Sequence, residues 1–185
     1  MYAAMAPDVE VDEEAADARL RAITRDPLLR HATLFAGDRH WLNGDSGEAL
    51  DAYTRYLEEL PVGPFTAYAL RRQASSLMRL RRDDEAIEVY ERVDAMAPDH
   101  ADSHLDLGVL YRERGELDRA LEAFARARSI LPERSTYAIA LGNTLMIAGR
   151  ADEAIPELES AVAAKPTALR AQLGLDAALL ESGRA

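Results

Sequence analysis

His100 and His104 stand four residues apart among Asp99, Asp102 and Asp106, the spacing by which a helix places two imidazoles on one metal ion. Their positions argue against that chemistry. His100 falls in a turn between two predicted helices, and His104 takes a position filled elsewhere by Leu70 and Ala138. One loop histidine, one packed histidine and no metal is the reading adopted. A second concentration of chemistry-bearing side chains is Arg71, Arg72, Arg79, Arg81 and Arg82, a basic cluster in an acidic chain. Guanidinium groups bind carboxylates bidentately, so this cluster suits an acidic ligand. Asp83 and Asp84 follow directly, and local pairing is the alternative for part of it. No Ser-His-Asp order, glycine-rich phosphate loop or pair of catalytic carboxylates stands out from the charged background. Cysteine is absent, which removes disulfides, thiolate metal sites and thiol catalysis. No cofactor and no enzymatic activity are expected.

A repeat must position these side chains. The stretch from Ala101 to Pro132 reads as two amphipathic helices hinged at Gly115, and its pattern returns about every 34 residues. The closing prolines are Pro27, Pro61, Pro98, Pro132 and Pro166, spaced 34, 37, 34 and 34. The small site of each first helix is Gly37, Ala74, Gly108 or Gly142, and its second-helix partner is Ala49, Ala86, Ala120 or Ala154. Four residues on stands Tyr53, Tyr90, Phe124 or Leu158, and the turn residue is Gly44, Arg81, Gly115 or Gly149. The pattern predicts helices near 13–25, 29–43, 46–59, 65–80, 83–95, 101–114, 117–130, 135–148, 151–163 and 168–182. Val62-Gly63-Pro64 makes a longer loop between two units. Pro156 lies near a helix start, where it removes one backbone hydrogen bond.

In these columns the chain resembles the tetratricopeptide repeat family, whose unit is a helix–turn–helix of this length. The resemblance spans roughly residues 12 to 183. It implies an all-α fold, an α-solenoid of about ten helices wound as a right-handed superhelix. The expected parts are an acidic tail (1–11), a half repeat (12–28), repeats at 30–63, 67–100, 101–134 and 135–168, and a terminal helix (169–182). Asp176 occupies the small site of that helix, where a second helix would bury its charge, so a cap is the favoured reading. The closing SGRA, which copies AGRA of residues 148–151, favours a longer array instead.

One stripe of each first helix lies beside the packing residues: Asp102, Leu105, Val109 and Arg112 in the third unit. The resemblance implies that such stripes line a concave groove. Transferred unit by unit, they are His31, Leu34, Asp38 and Trp41, then Tyr68, Arg71, Ser75 and Met78, then Thr136, Ile139, Asn143 and Met146. Leu173, Ala177 and Leu180 continue them on the terminal helix. The residues expected to touch a ligand are Trp41, Tyr68, Arg71, Ser75, Met78, Leu105, Val109, Arg112, Ile139, Asn143 and Met146. Leu105, Val109, Ile139, Met146, Leu173 and Leu180 would form an apolar patch of the kind that marks a partner site. For Leu105 and Ile139, packing beneath a neighbouring helix is the competing reading, and both stay open. Some family members grip a C-terminal carboxylate with lysine, asparagine and arginine on successive first helices. Here only Arg71 and Asn143 stand in suitable columns, so that clamp is not intact.

The bulk numbers bound the partner. With 22 basic and 33 acidic residues the formal charge is −11, which disfavours nucleic acid, whose binding is dominated by cationic contacts. No segment has the ~20 apolar residues that cross a bilayer, and MYAAMAP does not read as a secretory leader, so a cytoplasmic location is expected. The expected function is a non-catalytic scaffold or adaptor. It would hold a peptide or helix of a partner protein, acidic and with apolar anchors, in the concave groove. The alternatives are homodimerisation through Leu173, Leu175, Leu179 and Leu180, or a regulatory or targeting role in a larger enzyme system. The segment Asp8–Asp17, six of whose ten residues are acidic, is a further candidate occupant of the basic end of the groove.

Overall fold

The computed structural model describes residues 27–184, with side chains from residue 31 onward. The acidic tail and the helix expected at 13–25 lie outside the described residues. Among those described there are nine helices and no strand: α1 (Pro27–Asn43), α2 (Ser46–Glu59), α3 (Thr66–Arg79), α4 (Asp83–Met96), α5 (Ala101–Glu113), α6 (Leu117–Ile130), α7 (Ser135–Ile147), α8 (Ala151–Ala164) and α9 (Leu169–Glu181). Their ends fall within two residues of the predicted ones, because apolar periodicity and turn glycines mark helix limits locally. Pro156 is accommodated inside a continuous α8.

The turn inside each unit has one geometry. Gly44, Gly115 and Gly149 adopt φ of 92°, 77° and 70°, and the residue after each donates its backbone N–H five residues back, Glu116 to Tyr111 at 2.9 Å for example. This left-handed cap satisfies carbonyls that a helix end leaves open. Arg81 does the same with φ of 60°, a conformation that costs a residue with a Cβ ~1–2 kcal/mol. Its guanidinium meets Glu113 at 2.8 Å and Asp83 at 3.4 Å.

The chain divides into two compact units, one ending at Ala69 and the other beginning at Leu70, so the division falls within α3. In the first, α1 packs on α2 around Leu34, Ala49, Tyr53, Tyr56 and Ala69. Gly37 meets the Tyr53 ring, and the Tyr53 and Tyr68 hydroxyls both donate to Asp38, at 2.8 and 2.7 Å. Leu34, expected on the groove stripe, is 2 % exposed and belongs to this core. A first helix can bury more than one stripe, and here it does.

In the second unit each helix from α4 to α9 packs on the next, and α5 and α7 also reach α7 and α9 respectively. The closest approaches occur at the small sites. A Cβ on Gly108 would stand 2.5 Å from Phe124 Cε1, and one on Gly142 would stand 2.7 Å from Leu158 Cγ. Phe124 and Leu158 are fully buried there. Asp176, one period after Gly142, is exposed.

These contacts predict opposite effects for two glycine substitutions. Gly108→Ala forces a Cβ onto the Phe124 ring and is expected to cost about 1–3 kcal/mol. Gly47→Ala, in α2 with nothing within 4 Å, is expected to gain about 0.4–1 kcal/mol by restricting the unfolded chain. Chemical denaturation of both variants checks the pair.

Candidate functional site

The second unit carries an open cleft of about 370 Å³. Helix α5 contributes Leu105, Asp106, Val109 and Arg112, and α7 contributes Thr136, Ile139, Ala140 and Asn143, in each case residues recurring at helical spacing on one face. Arg170 of α9 completes the wall. Five residues expected to touch a ligand are therefore brought together: Leu105, Val109, Arg112, Ile139 and Asn143. All five are part-buried. Leu105 also packs against the cluster of Ala101, Ala127 and Tyr137, and Ile139 against that of Ala138, Ala161 and Ala171. Each does both things the sequence left open, supporting the core with one flank and lining the cleft with the other.

Asn143 packs close against a glycine, since a Cβ on Gly174 would stand 2.8 Å from its Oδ1. Arg112 lies with its guanidinium carbon 5.6 Å from the centroid of the Phe124 ring, within cation–π range. Asp106 accepts a 2.6 Å hydrogen bond from the Tyr90 hydroxyl. Burial raises the Asp106 carboxyl above its ordinary value, with Asp102 adding to the shift, while the Tyr90 bond and the Arg71 cation oppose it. Burial and Asp106 together push the Tyr90 phenol far up, so it stays a donor.

The other expected contacts lie elsewhere. Trp41 and Tyr68 pack half-buried against the core of the first unit. Ser75 hydrogen-bonds the Tyr90 hydroxyl, and Arg71 is part-buried, its charge acting on Asp106, Tyr90 and His100. Met78 and Met146 are part-buried and do not line the cleft. His31, on the same stripe as Leu34, stacks edge-on with Phe65 at 5.0 Å.

Both members of the histidine pair have other duties. His100 caps α5 by accepting from the Ser103 backbone N–H at 3.2 Å, and burial lowers its pKa, helped by Arg71. His104 is 3 % exposed with Nε2 2.7 Å from the Pro98 carbonyl oxygen. Arg170 and Asp106 were missed as cleft residues. Arg170 stands one period after Thr136, a signal that register supplies. Nothing in the sequence pairs Asp106 with Tyr90.

The sequence pattern of the tetratricopeptide repeat matches at residues 13–64, 36–101 and 71–135. The chain belongs to the tetratricopeptide repeat family. Solved structures similar to it share the all-helical solenoid fold of the family. The crystal structure of MamA protein is 22 % identical with a TM-score of 0.76, covering 84 % of this chain and 83 % of that one. A tetratricopeptide repeat protein from Parabacteroides merdae ATCC 43184 is 17 % identical with a TM-score of 0.77, covering 83 % and 60 %. YrrB, described as a TPR protein with an unusual peptide-binding site, is 18 % identical with a TM-score of 0.71, covering 88 % and 86 %. Among curated proteins none matches the chain in sequence. Tetratricopeptide repeat proteins are generally non-catalytic and bind protein or peptide partners. Among the described residues no helix is long and apolar enough to cross a membrane.

The buried carboxyl gives a pH signature. A carboxyl raised on folding favours the folded state while protonated; the cost of ionising it is absent below the unfolded pKa and complete above the folded one. Asp106→Asn keeps an acceptor for Tyr90 and is expected to raise the unfolding midpoint at pH 7. The gain should disappear as the pH falls below the ordinary value of 3.8. Thermal melts across that range check it; a loss of stability at pH 7 would show instead that the ionised carboxylate stabilises the fold.

Proposed function

We propose that this tetratricopeptide repeat protein is a non-catalytic scaffold that takes an extended or helical segment of a partner protein against its first helices, through the cleft of α5, α7 and α9. One observation carries the reading. Leu105, Val109 and Ile139 remain only part-buried around an open cleft, whereas Leu107, Leu110, Tyr111 and Leu141 on the same helices are covered. Apolar side chains converging on open space with a few polar groups among them are the usual makeup of a recognition groove. The fold it shares with YrrB, a protein described as having a peptide-binding site, supports the same reading. Trp41, Tyr68, Arg71, Ser75, Met78 and Met146 belong to the proposal as further groove positions, Arg71 and Ser75 acting through the Tyr90–Asp106 pair. A cytoplasmic location and one continuous array over residues 12–183 are part of it too.

Replacing Val109 and Ile139 together by glutamate puts two charges on the apolar wall without touching the small-site contacts. Partner proteins recovered with the wild type are expected to be lost with this variant and kept with Glu159→Lys, an exposed change on α8. Recovery of the same partners by the double variant would end the groove reading.

The leucines of α9 favour a second reading, self-association. Leu169, Leu173 and Leu180 are 63 %, 58 % and 69 % exposed. Sedimentation at rising concentration decides it: a dimer dissociated by Leu173→Glu with Leu180→Glu supports this mode, and a strict monomer removes it.

A further inference from the structure

Seven arginines of the second unit, Arg81, Arg114, Arg119, Arg126, Arg128, Arg134 and Arg184, are matched to carboxylates about one repeat away. Arg119 meets Glu91 at 2.9 Å, Arg126 meets Asp94 at 3.2 Å, Arg128 meets Glu157 at 3.2 Å and Arg184 meets Asp152 at 3.0 Å. The two arginines of the cleft differ. Neither Arg112 nor Arg170 makes an ion pair with any described residue. Asp106, the one carboxylate in the lining, is already engaged by Tyr90. A chain of formal charge −11 therefore presents, beside an aliphatic wall, two cations without an ion-pair partner among the described residues. Neither stands in the column of Arg71 or of Asn143, the positions at which the family's carboxylate clamp was sought. At about 370 Å³ the cleft is near the lower end of the ~300–1,000 Å³ of ligand pockets, which suits a few side chains of a bound segment.

We infer that this cleft selects a partner segment in which a carboxylate side chain stands beside branched aliphatic ones, the carboxylate taken by Arg112 and Arg170 and the aliphatic groups laid on Leu105, Val109 and Ile139. The inference rests on the groove reading above and gives it a ligand chemistry. A carboxylate next to an apolar wall is partly shielded from water, where charge-assisted hydrogen bonds to guanidinium are stronger than on an open surface. The aliphatic neighbours remove from water the apolar area the fold leaves uncovered.

The test uses the full-length protein and two labelled, end-capped peptides, one alternating glutamate with valine and its twin with glutamine for glutamate. Fluorescence anisotropy at low salt is expected to show the glutamate peptide binding at least about tenfold more tightly, a difference of ~1.4 kcal/mol, with the preference falling as salt is raised. Arg112→Gln with Arg170→Gln should abolish the preference while circular dichroism and melting stay as in the wild type. Equal binding of the two peptides by the wild type, no binding of the glutamate peptide, or a preference that survives the double arginine change overturns the inference. Where the wild type binds the two peptides equally, the Val109 and Ile139 glutamate variant separates the two readings: losing both peptides leaves the groove standing without its charge selectivity, whereas retaining both removes the groove as well. Neutralising Asp8, Glu10 and Asp12 in the full chain (to Asn, Gln and Asn) should leave the affinity unchanged. A rise would reassign the cleft from a partner to the chain's own acidic segment.

Discussion

The fold depends on one close contact, a missing Cβ on a first helix against a large side chain on the second. Gly37 lies on Tyr53, Gly108 on Phe124 and Gly142 on Leu158, each at a distance that an added methyl group could not share. The large partner is fully buried in every case. So close an approach commits one face of the first helix to its own second helix. A second face goes to the preceding unit, as where Tyr111 reaches Glu91 of α4 with a 2.9 Å hydrogen bond. Only a third stripe is left, and in α5 it consists of Leu105, Val109 and Arg112. The cleft is thus a remainder of the packing, set by how tightly the other two faces are used.

Tyrosine hydroxyls at the margin of the core engage several of the carboxylates there. Tyr53 and Tyr68 share Asp38, Tyr90 takes Asp106, and Tyr137 donates to Asp102 at 2.8 Å. Burial, reinforced by the carboxylate it meets, lifts the Tyr137 phenol to about 12, and the same causes act on Tyr111 beside Glu91. Tyr90, Tyr111 and Tyr137 stay protonated donors across the physiological range. Hydrogen bonds to charged groups are worth roughly 1.5–3 kcal/mol each. The ion pairs that join one repeat to the next complete the pattern. Individually such exposed pairs contribute only ~0–1 kcal/mol, so they say little about stability. They do match several guanidinium groups of the second unit to carboxylates within the protein.

Helix limits, turn positions and the pairing of small with large residues could all be read from the chain, because a period of 34 repeats contacts between elements adjacent in sequence. Glycine at three of the four turns reported a left-handed backbone that a Cβ disfavours, and Arg81 adopts the same geometry without that signal. Tertiary structure alone decided that Leu34 is core, that Asp106 is held by Tyr90, and that Arg170 joins Arg112 around one cleft. Those outcomes depend on side chains from two or more helices meeting in space. Column register predicts which face a residue occupies, but not whether a group from another helix arrives to cover it or neutralise it.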